Sequence, residues 1–111
     1  MPVWRARPVV IEPVITVDSW QVIRLPHGAS HIMGRHSNGI EVLISSRIVA
    51  IQLEPLRART ASGRIYLLSG PSGRSRGDDE VLRSWCDMNG VELDQTEFVG
   101  PGALDDLPRL V

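Results

Sequence analysis

Apolar and polar residues alternate along much of the chain, and this period of two predicts β-strands. Two strands are predicted near the N-terminus, over residues 9–17 and 19–25. Pro13 lies inside the first of them, which favours an edge strand or a bulge there. The alternation gives the second strand two apolar faces, Trp20 with Val22 and Ile23 with Leu25. The turn residues at 26–29 then end the strand.

A second pair of apolar runs changes phase between them. Apolar residues occupy even positions over 40–44 and odd positions over 49–53. Side chains alternate strictly between the faces of a strand, so the change predicts a bulge or turn near residues 45–47. Glu54-Pro55 ends the second run.

The clearest hairpin pattern has strands over 56–60 and 64–68 on either side of Ala61-Ser62-Gly63. The residues expected to face the core are Leu56, Ala58, Ile65 and Leu67. The residues expected to share the solvent-exposed face are Arg57, Arg59, Arg64 and Tyr66.

One helix is predicted over residues 78–89. Three carboxylates stand at its start, where they complement the positive end of the helix dipole: Asp78, Asp79 and Glu80. Its apolar stripe consists of Val81, Leu82, Trp85 and Met88. The glycine-rich segment 70–77 before the helix is predicted to be a mobile loop. A short strand is predicted over 91–99, and residues 100–111 are predicted to form a poorly ordered acidic tail.

These elements predict a mainly β (α+β) fold in a single domain over residues 1–99. We expect a small, strongly bent antiparallel sheet or an SH3-like barrel, with one helix in the C-terminal half. The helix is expected to cap the open end, with Trp85 plugging the core. The alternative is a helix that lies across one face of the sheet.

The charge distribution adds information that the net charge of −1 hides. All 12 basic residues are Arg, so chemistry that needs a lysine is excluded. Residues 1–76 hold ten Arg and four acids, whereas residues 77–111 hold two Arg and nine acids. This asymmetry is typical of surfaces that bind charged partners, and equally of two chain halves that neutralise each other.

The remaining sequence features favour a cytoplasmic protein that is not an enzyme. A single cysteine, no secretion signal and no membrane-spanning apolar run indicate the cytoplasm and no membrane partner. Cys86 is expected to be a buried, inert thiol whose pKa Asp87 raises. His27, His31 and His36 match no zinc signature, so neither a metal nor another cofactor is expected. The catalytic motifs of hydrolases and dinucleotide enzymes are missing, although a small hydrolase or transferase stays an alternative.

Three segments are candidates for binding. The hairpin set Arg57, Arg59, Arg64 and Tyr66 suits phosphate contacts with base stacking, or a protein interface, or an exposed face with no specific role. Arg74 and Arg76 in the loop are candidates for anion contacts, with a plain connector as the alternative. The carboxylates Asp78, Asp79 and Glu80 are candidates for contact with a basic surface.

Three stretches, 45–49, 59–71 and 85–91, resemble a group of short uncharacterised proteins of proteobacteria, phages and other mobile elements. The most specific part is Thr-x-Ser-Gly-Arg-x-Tyr-x-Leu-x-Gly-Pro at residues 60–71, followed by Trp-Cys-x-x-Asn-Gly-Val at 85–91. The resemblance covers about residues 31–99 and assigns no functional residue. It implies an accessory protein that acts by binding a host macromolecule.

The sequence therefore predicts a non-enzymatic binding module that inhibits a host protein or ribonucleoprotein complex by occlusion. A defence complex such as a CRISPR effector is one such target. The alternative is a protein that binds DNA or RNA directly through the Arg-rich hairpin and loop. A homodimer formed through an exposed edge strand is compatible with either function.

Overall fold

A computed structural model describes residues 9–37, 41–73 and 78–110. The seven strands are β1 (Val14–Arg24), β2 (Ser30–His36), β3 (Val42–Ile44), β4 (Ile48–Leu53), β5 (Leu56–Thr60), β6 (Ile65–Leu68) and β7 (Glu97–Val99). The α-helix is α1 (Asp78–Asn89), and two 3₁₀ helices span Leu93–Gln95 and Pro101–Asp106. The predicted mainly β fold with one helix is confirmed, and the helix has the predicted bounds.

The strands form one open, mixed sheet in the order β3-β2-β1-β6-β5-β4. The long strand β1 has β2 along one edge, antiparallel. Its other edge is shared by β6, which pairs in parallel with residues 14–17, and by β7, which pairs antiparallel with residues 22–24. The expectation of a purely antiparallel sheet is therefore wrong. The sheet is strongly curved but does not close into an SH3-like barrel.

Strand β1 joins the end of the strand predicted over 9–17 to the strand predicted over 19–25. The prediction is wrong for residues 9–13, which form no strand, so Pro13 precedes β1. Its pairing with β2 shifts between Asp18 and Gln21, and Ser19 has a φ of 47°. A β-bulge of this kind inserts one residue, so Val17 and Trp20 point to the same side although they are three apart. Beyond the bulge, the predicted faces of residues 20–25 are confirmed.

Strand β2 lies in a segment for which the sequence pattern predicts no strand. Its centre is buried on both sides, because Ile32 and Met33 point to opposite faces of the sheet. Gly34 permits this close packing, since a Cβ built there would lie 3.0 Å from Val17 Cβ. The sequence does not predict this strand because its polar residues and its glycine do not alternate with apolar residues.

The sheet buries apolar side chains on both faces, in two clusters. The inner cluster fills the concave side and consists of Ile15, Val17, Trp20, Val22, Ile32, Leu43, Ile48, Ile51, Ala58, Tyr66, Leu68 and Leu104. The helix cluster lies between α1 and strands β1 to β3, and consists of Ile23, Leu25, Met33, Val42, Ile44, Val81, Leu82, Trp85 and Cys86. Helix α1 thus lies across one face of the sheet, as in the alternative arrangement, and Trp85 does not plug the inner cluster.

The apolar face of α1 is rotated slightly from the predicted stripe. Val81, Leu82 and Trp85 are buried as predicted, but Cys86 is also buried and Met88 is 64% exposed. At about 100° per residue, Leu82 and Trp85 define the centre of the buried face, and Met88 falls at its margin in the last turn.

The C-terminal segment packs against the sheet, in contrast to the poorly ordered tail that the sequence predicts. Leu104 is 1% exposed in the inner cluster. The Ile51 N–H donates to Pro108 O at 2.8 Å, and Leu110 N–H donates to Ile51 O at 2.7 Å. Leu104 anchors an otherwise acidic segment because its side chain fills the open side of the curved sheet. Within the predicted strand 91–99, only residues 97–99 are extended as β7.

Candidate functional sites

The β5–β6 hairpin has the predicted turn, but the side chains of β6 have the opposite orientation to the predicted one. Thr60 N–H donates to Arg64 O at 3.0 Å around a three-residue connection, in which Gly63 has a φ of 91°. The pairs are Arg59 with Ile65, Ala58 with Tyr66, and Arg57 with Leu67. Paired residues point to the same face, so Arg57, Arg59, Ile65 and Leu67 share the outer face. The predicted exposed set is therefore wrong for Arg64 and Tyr66.

Arg64 and Tyr66 have structural roles. Tyr66 is 3% exposed in the inner cluster, and burial raises the pKa of its hydroxyl although a hydrogen bond from Arg64 opposes the shift. Arg64 is 6% exposed, and its Nε donates to Glu12 O at 2.9 Å. This contact ties the chain before β1 to the hairpin. Neither side chain presents its polar group to a partner at the surface.

The outer face of the hairpin is a mixed apolar and cationic surface. We define the hairpin face by five residues on β1, β5 and β6: Val14, Arg57, Arg59, Ile65 and Leu67. Val14 is 50% exposed, Arg59 is exposed, and the other three are half-buried. The guanidinium of Arg57 is held by Gln52, whose Oε1 accepts from Nε at 3.1 Å and from Nη2 at 2.8 Å.

The three other predicted binding residues that the structure describes stand at the start of α1. Asp78 is 2% exposed, so it does not form part of a surface as the sequence analysis expects, whereas Asp79 and Glu80 are exposed. Burial of Asp78 follows from its position on the same side of the helix as Leu82. Arg74 and Arg76 lie outside the described residues.

The three histidines do not come together. His36 lies at the end of β2, where its Nε2 is 2.9 Å from Glu12 Oε2. His31 lies at the other end of β2, and His27 lies in the preceding turn. Among the residues that the structure describes, no group of three His, Cys, Asp or Glu side chains is placed to hold a metal ion.

His31 and His27 line a cleft that the sequence analysis does not predict. The cleft has a volume of about 290 Å³ and lies beside the C-terminal half of α1. The His31 ring packs edge-on against Trp85, with 5.0 Å between ring centroids, and its Nδ1 is 2.9 Å from Ser45 O. Burial lowers the pKa of His31, and the positive charges of His27 and Arg47 lower it further against the effect of the Ser45 hydrogen bond. The sequence does not predict this cleft because it does not predict strand β2. That strand places His31 next to Trp85 of α1.

Cys86 is buried, as the sequence predicts. It is 1% exposed, and burial together with the Asp87 carboxylate raises its pKa. A thiol that stays protonated is a poor nucleophile.

No protein-family model, curated protein or solved structure matches this chain. No helix in the described ranges has the length and the apolar composition needed to cross a membrane.

Proposed function

We propose that the protein is a non-enzymatic binding module that uses the hairpin face to dock onto an acidic, partly apolar patch of a host protein. The observation that carries this proposal is the composition of the hairpin face. Two arginines stand beside Ile65 and Leu67, where the sequence analysis expects a tyrosine. Arginine is enriched at protein interfaces, and the half-buried Ile65 and Leu67 beside it supply apolar contact area.

The same observation favours a protein over a nucleic acid. Binding of single-stranded nucleic acid combines cationic side chains with aromatic rings on which bases stack. Tyr66, the aromatic residue of the hairpin, is buried in the inner cluster and offers no ring face to a base. Ile65 and Leu67 suit an apolar patch on a protein instead.

The partner is expected to carry carboxylates around an apolar centre. Arg57 is pre-oriented by Gln52, so less conformational entropy is lost when it pairs with a carboxylate. Arg59 is exposed and adds a second charge on the same strand. The resemblance to mobile-element proteins directs the proposal towards a host defence complex that the module inhibits by occlusion.

The test is capture through the hairpin face itself. A photo-crosslinking amino acid at position 65 is compared with the same group at Met88, which is exposed on α1. We expect position 65 to capture one host protein in nuclease-treated lysate, and Met88 to capture none of it. Arg57→Glu with Arg59→Glu is expected to reduce binding of the captured protein at least tenfold, because both charges are reversed.

The matched control is Arg83→Glu, which reverses one exposed arginine on α1. It is expected to leave binding within about twofold, since Arg83 is not one of the residues of the hairpin face. Equal loss in the control and in the hairpin variant contradicts the proposal. Capture that disappears with nuclease treatment contradicts it as well and favours direct nucleic-acid binding.

A further inference from the structure

The cleft beside His31 has the features of a ligand site, and it uses none of the hairpin-face residues. Its polar lining consists of His27, His31, Arg47 and Asn89. Its apolar lining consists of Leu25, Ala29, Trp85 and Val91. Its volume of about 290 Å³ lies just below the usual range for drug-sized ligand pockets, about 300–1,000 Å³, so only a small ligand fits. The combination of one apolar wall with a few convergent polar groups is typical of a small-molecule site.

The positive charge of the lining side chains favours an anion as the ligand of the cleft. One guanidinium and two imidazoles line it, and no Asp or Glu is among the described lining residues. Arg47 carries a full positive charge, and both Arg47 and His27 disfavour the charged form of His31. An anion bound among these groups relieves their mutual repulsion.

The C-terminal end of α1 does not reverse this preference. A helix C-terminus carries a partial negative charge of about 0.5 on its free carbonyls. Additional donors reduce this charge, because Asn89 Nδ2 donates to Trp85 O at 2.8 Å and Val91 N–H donates to Cys86 O at 3.0 Å. The full charge of Arg47 outweighs the part that remains.

The hydrogen bonds within the protein leave nitrogen atoms of His31, His27 and Arg47 that a ligand can use. His31 is held through Nδ1 by Ser45 O, so Nε2 is its remaining nitrogen. His27 Nδ1 accepts weakly from Ala29 N–H at 3.4 Å, which leaves its Nε2 as the donor in the neutral ring. The guanidinium of Arg47 is exposed and matches the two oxygens of a carboxylate.

We propose that this cleft binds a small organic carboxylate, with its charged group held by Arg47 and His31 and its apolar body against Trp85. A carboxylate fits better than inorganic phosphate because half of the lining is apolar. The anion also stabilises the imidazolium of His31, so binding is accompanied by proton uptake.

The test uses the full chain and sodium benzoate as the probe, followed by NMR of the His31 ring and the Trp85 indole. We expect saturable shifts of both groups with a Kd of about 1 mM or tighter. Benzamide has the same shape without the charge, and is expected to bind about tenfold more weakly. No saturable shift with benzoate, or equal binding of benzamide, overturns the proposal.

Two variants separate the cleft from a general effect of positive charge. Arg47→Gln is expected to weaken benzoate binding about tenfold, because a charged hydrogen bond is lost. Arg83→Gln removes another exposed arginine, one that does not line the cleft, and is expected to leave the Kd within about twofold. Equal weakening by the two variants overturns the proposal. So does a His31 titration midpoint that fails to rise when benzoate is saturating.

Discussion

The inner cluster and the helix cluster occupy opposite faces of one sheet and are built differently. The inner cluster gathers side chains from six strands and from Leu104 near the C-terminus. The helix cluster needs three strands and one helix. The first therefore depends on the curvature of the whole sheet, whereas the second depends on the docking of α1. Distant parts of the chain must meet to form the inner cluster, but one element completes the helix cluster.

The two clusters are nevertheless coupled through β1, β2 and β3. Neighbouring residues on these strands alternate between them, as Val22 and Ile23 do on β1 and Ile32 and Met33 do on β2. Loss of either cluster exposes one face of the same strands. We therefore expect the domain to unfold in a single cooperative transition.

The largest loss of stability is expected from Ile51→Ala in the inner cluster. Ile51 is 0% exposed, and its backbone also pairs with the C-terminal segment. Removal of its side chain from a site enclosed by several strands is expected to cost about 4 kcal/mol. The measurement is urea unfolding followed by circular dichroism. Leu53→Ala, on the same strand but 44% exposed, is the control and is expected to cost less than about 1 kcal/mol.

A smaller loss is expected from Leu82→Ala in the helix cluster. Leu82 is 3% exposed. Because α1 is a single element packed on one sheet face, we expect it to shift and to fill part of the cavity that the leucine side chain leaves. We expect a cost of about 2–3 kcal/mol, with Met88→Ala as the exposed helix control near zero. Circular dichroism and fluorescence transitions that separate in the Leu82 variant contradict the coupling of the clusters. A cost above that of Ile51→Ala contradicts the order of the two clusters.

The sequence predicts the elements better than it predicts their assembly. The bounds of helix α1 are predicted correctly because its start and stop signals both lie within residues 78–90. The parallel pairing of β1 with β6 depends on contacts between distant residues, which no local pattern encodes. Strand β2 was missed because a strand buried on both faces need not alternate between apolar and polar residues.

For the hairpin, the site prediction fails at one step, the register across the turn. A three-residue connection pairs Thr60 with Arg64, so even positions face the same side in both strands. The prediction places even positions of β5 and odd positions of β6 on the same face. It therefore puts Tyr66 on the outer face, where the structure has Ile65 and Leu67. Because side chains alternate strictly, an error of one residue replaces a base-stacking surface with an apolar one.

The smallest expected effects are on the pH dependence of the free energy of unfolding, which differs between the two clusters. His31 packs against Trp85 of the helix cluster, and burial lowers its folded-state pKa below 6.5. Its neutral form is favoured by folding, so its contribution to stability is complete above pH 6.5 and is lost as the pH falls through the folded-state pKa. Tyr66 in the inner cluster behaves oppositely. Burial raises its pKa above 10.0, so its contribution is complete below pH 10 and is lost as the pH rises through the raised value.

The measurement is the free energy of unfolding from pH 5 to pH 11 in the wild-type protein and two variants. His31→Gln is expected to reduce the fall of the free energy of unfolding at low pH (the acid limb), because an amide does not titrate. It is expected to leave the fall at high pH (the alkaline limb) unchanged. Tyr66→Phe is expected to flatten only the alkaline limb. If either variant changes both limbs equally, the titrating groups do not belong to separate clusters. A wild-type acid limb that survives His31→Gln shows that other groups carry the loss of stability at low pH.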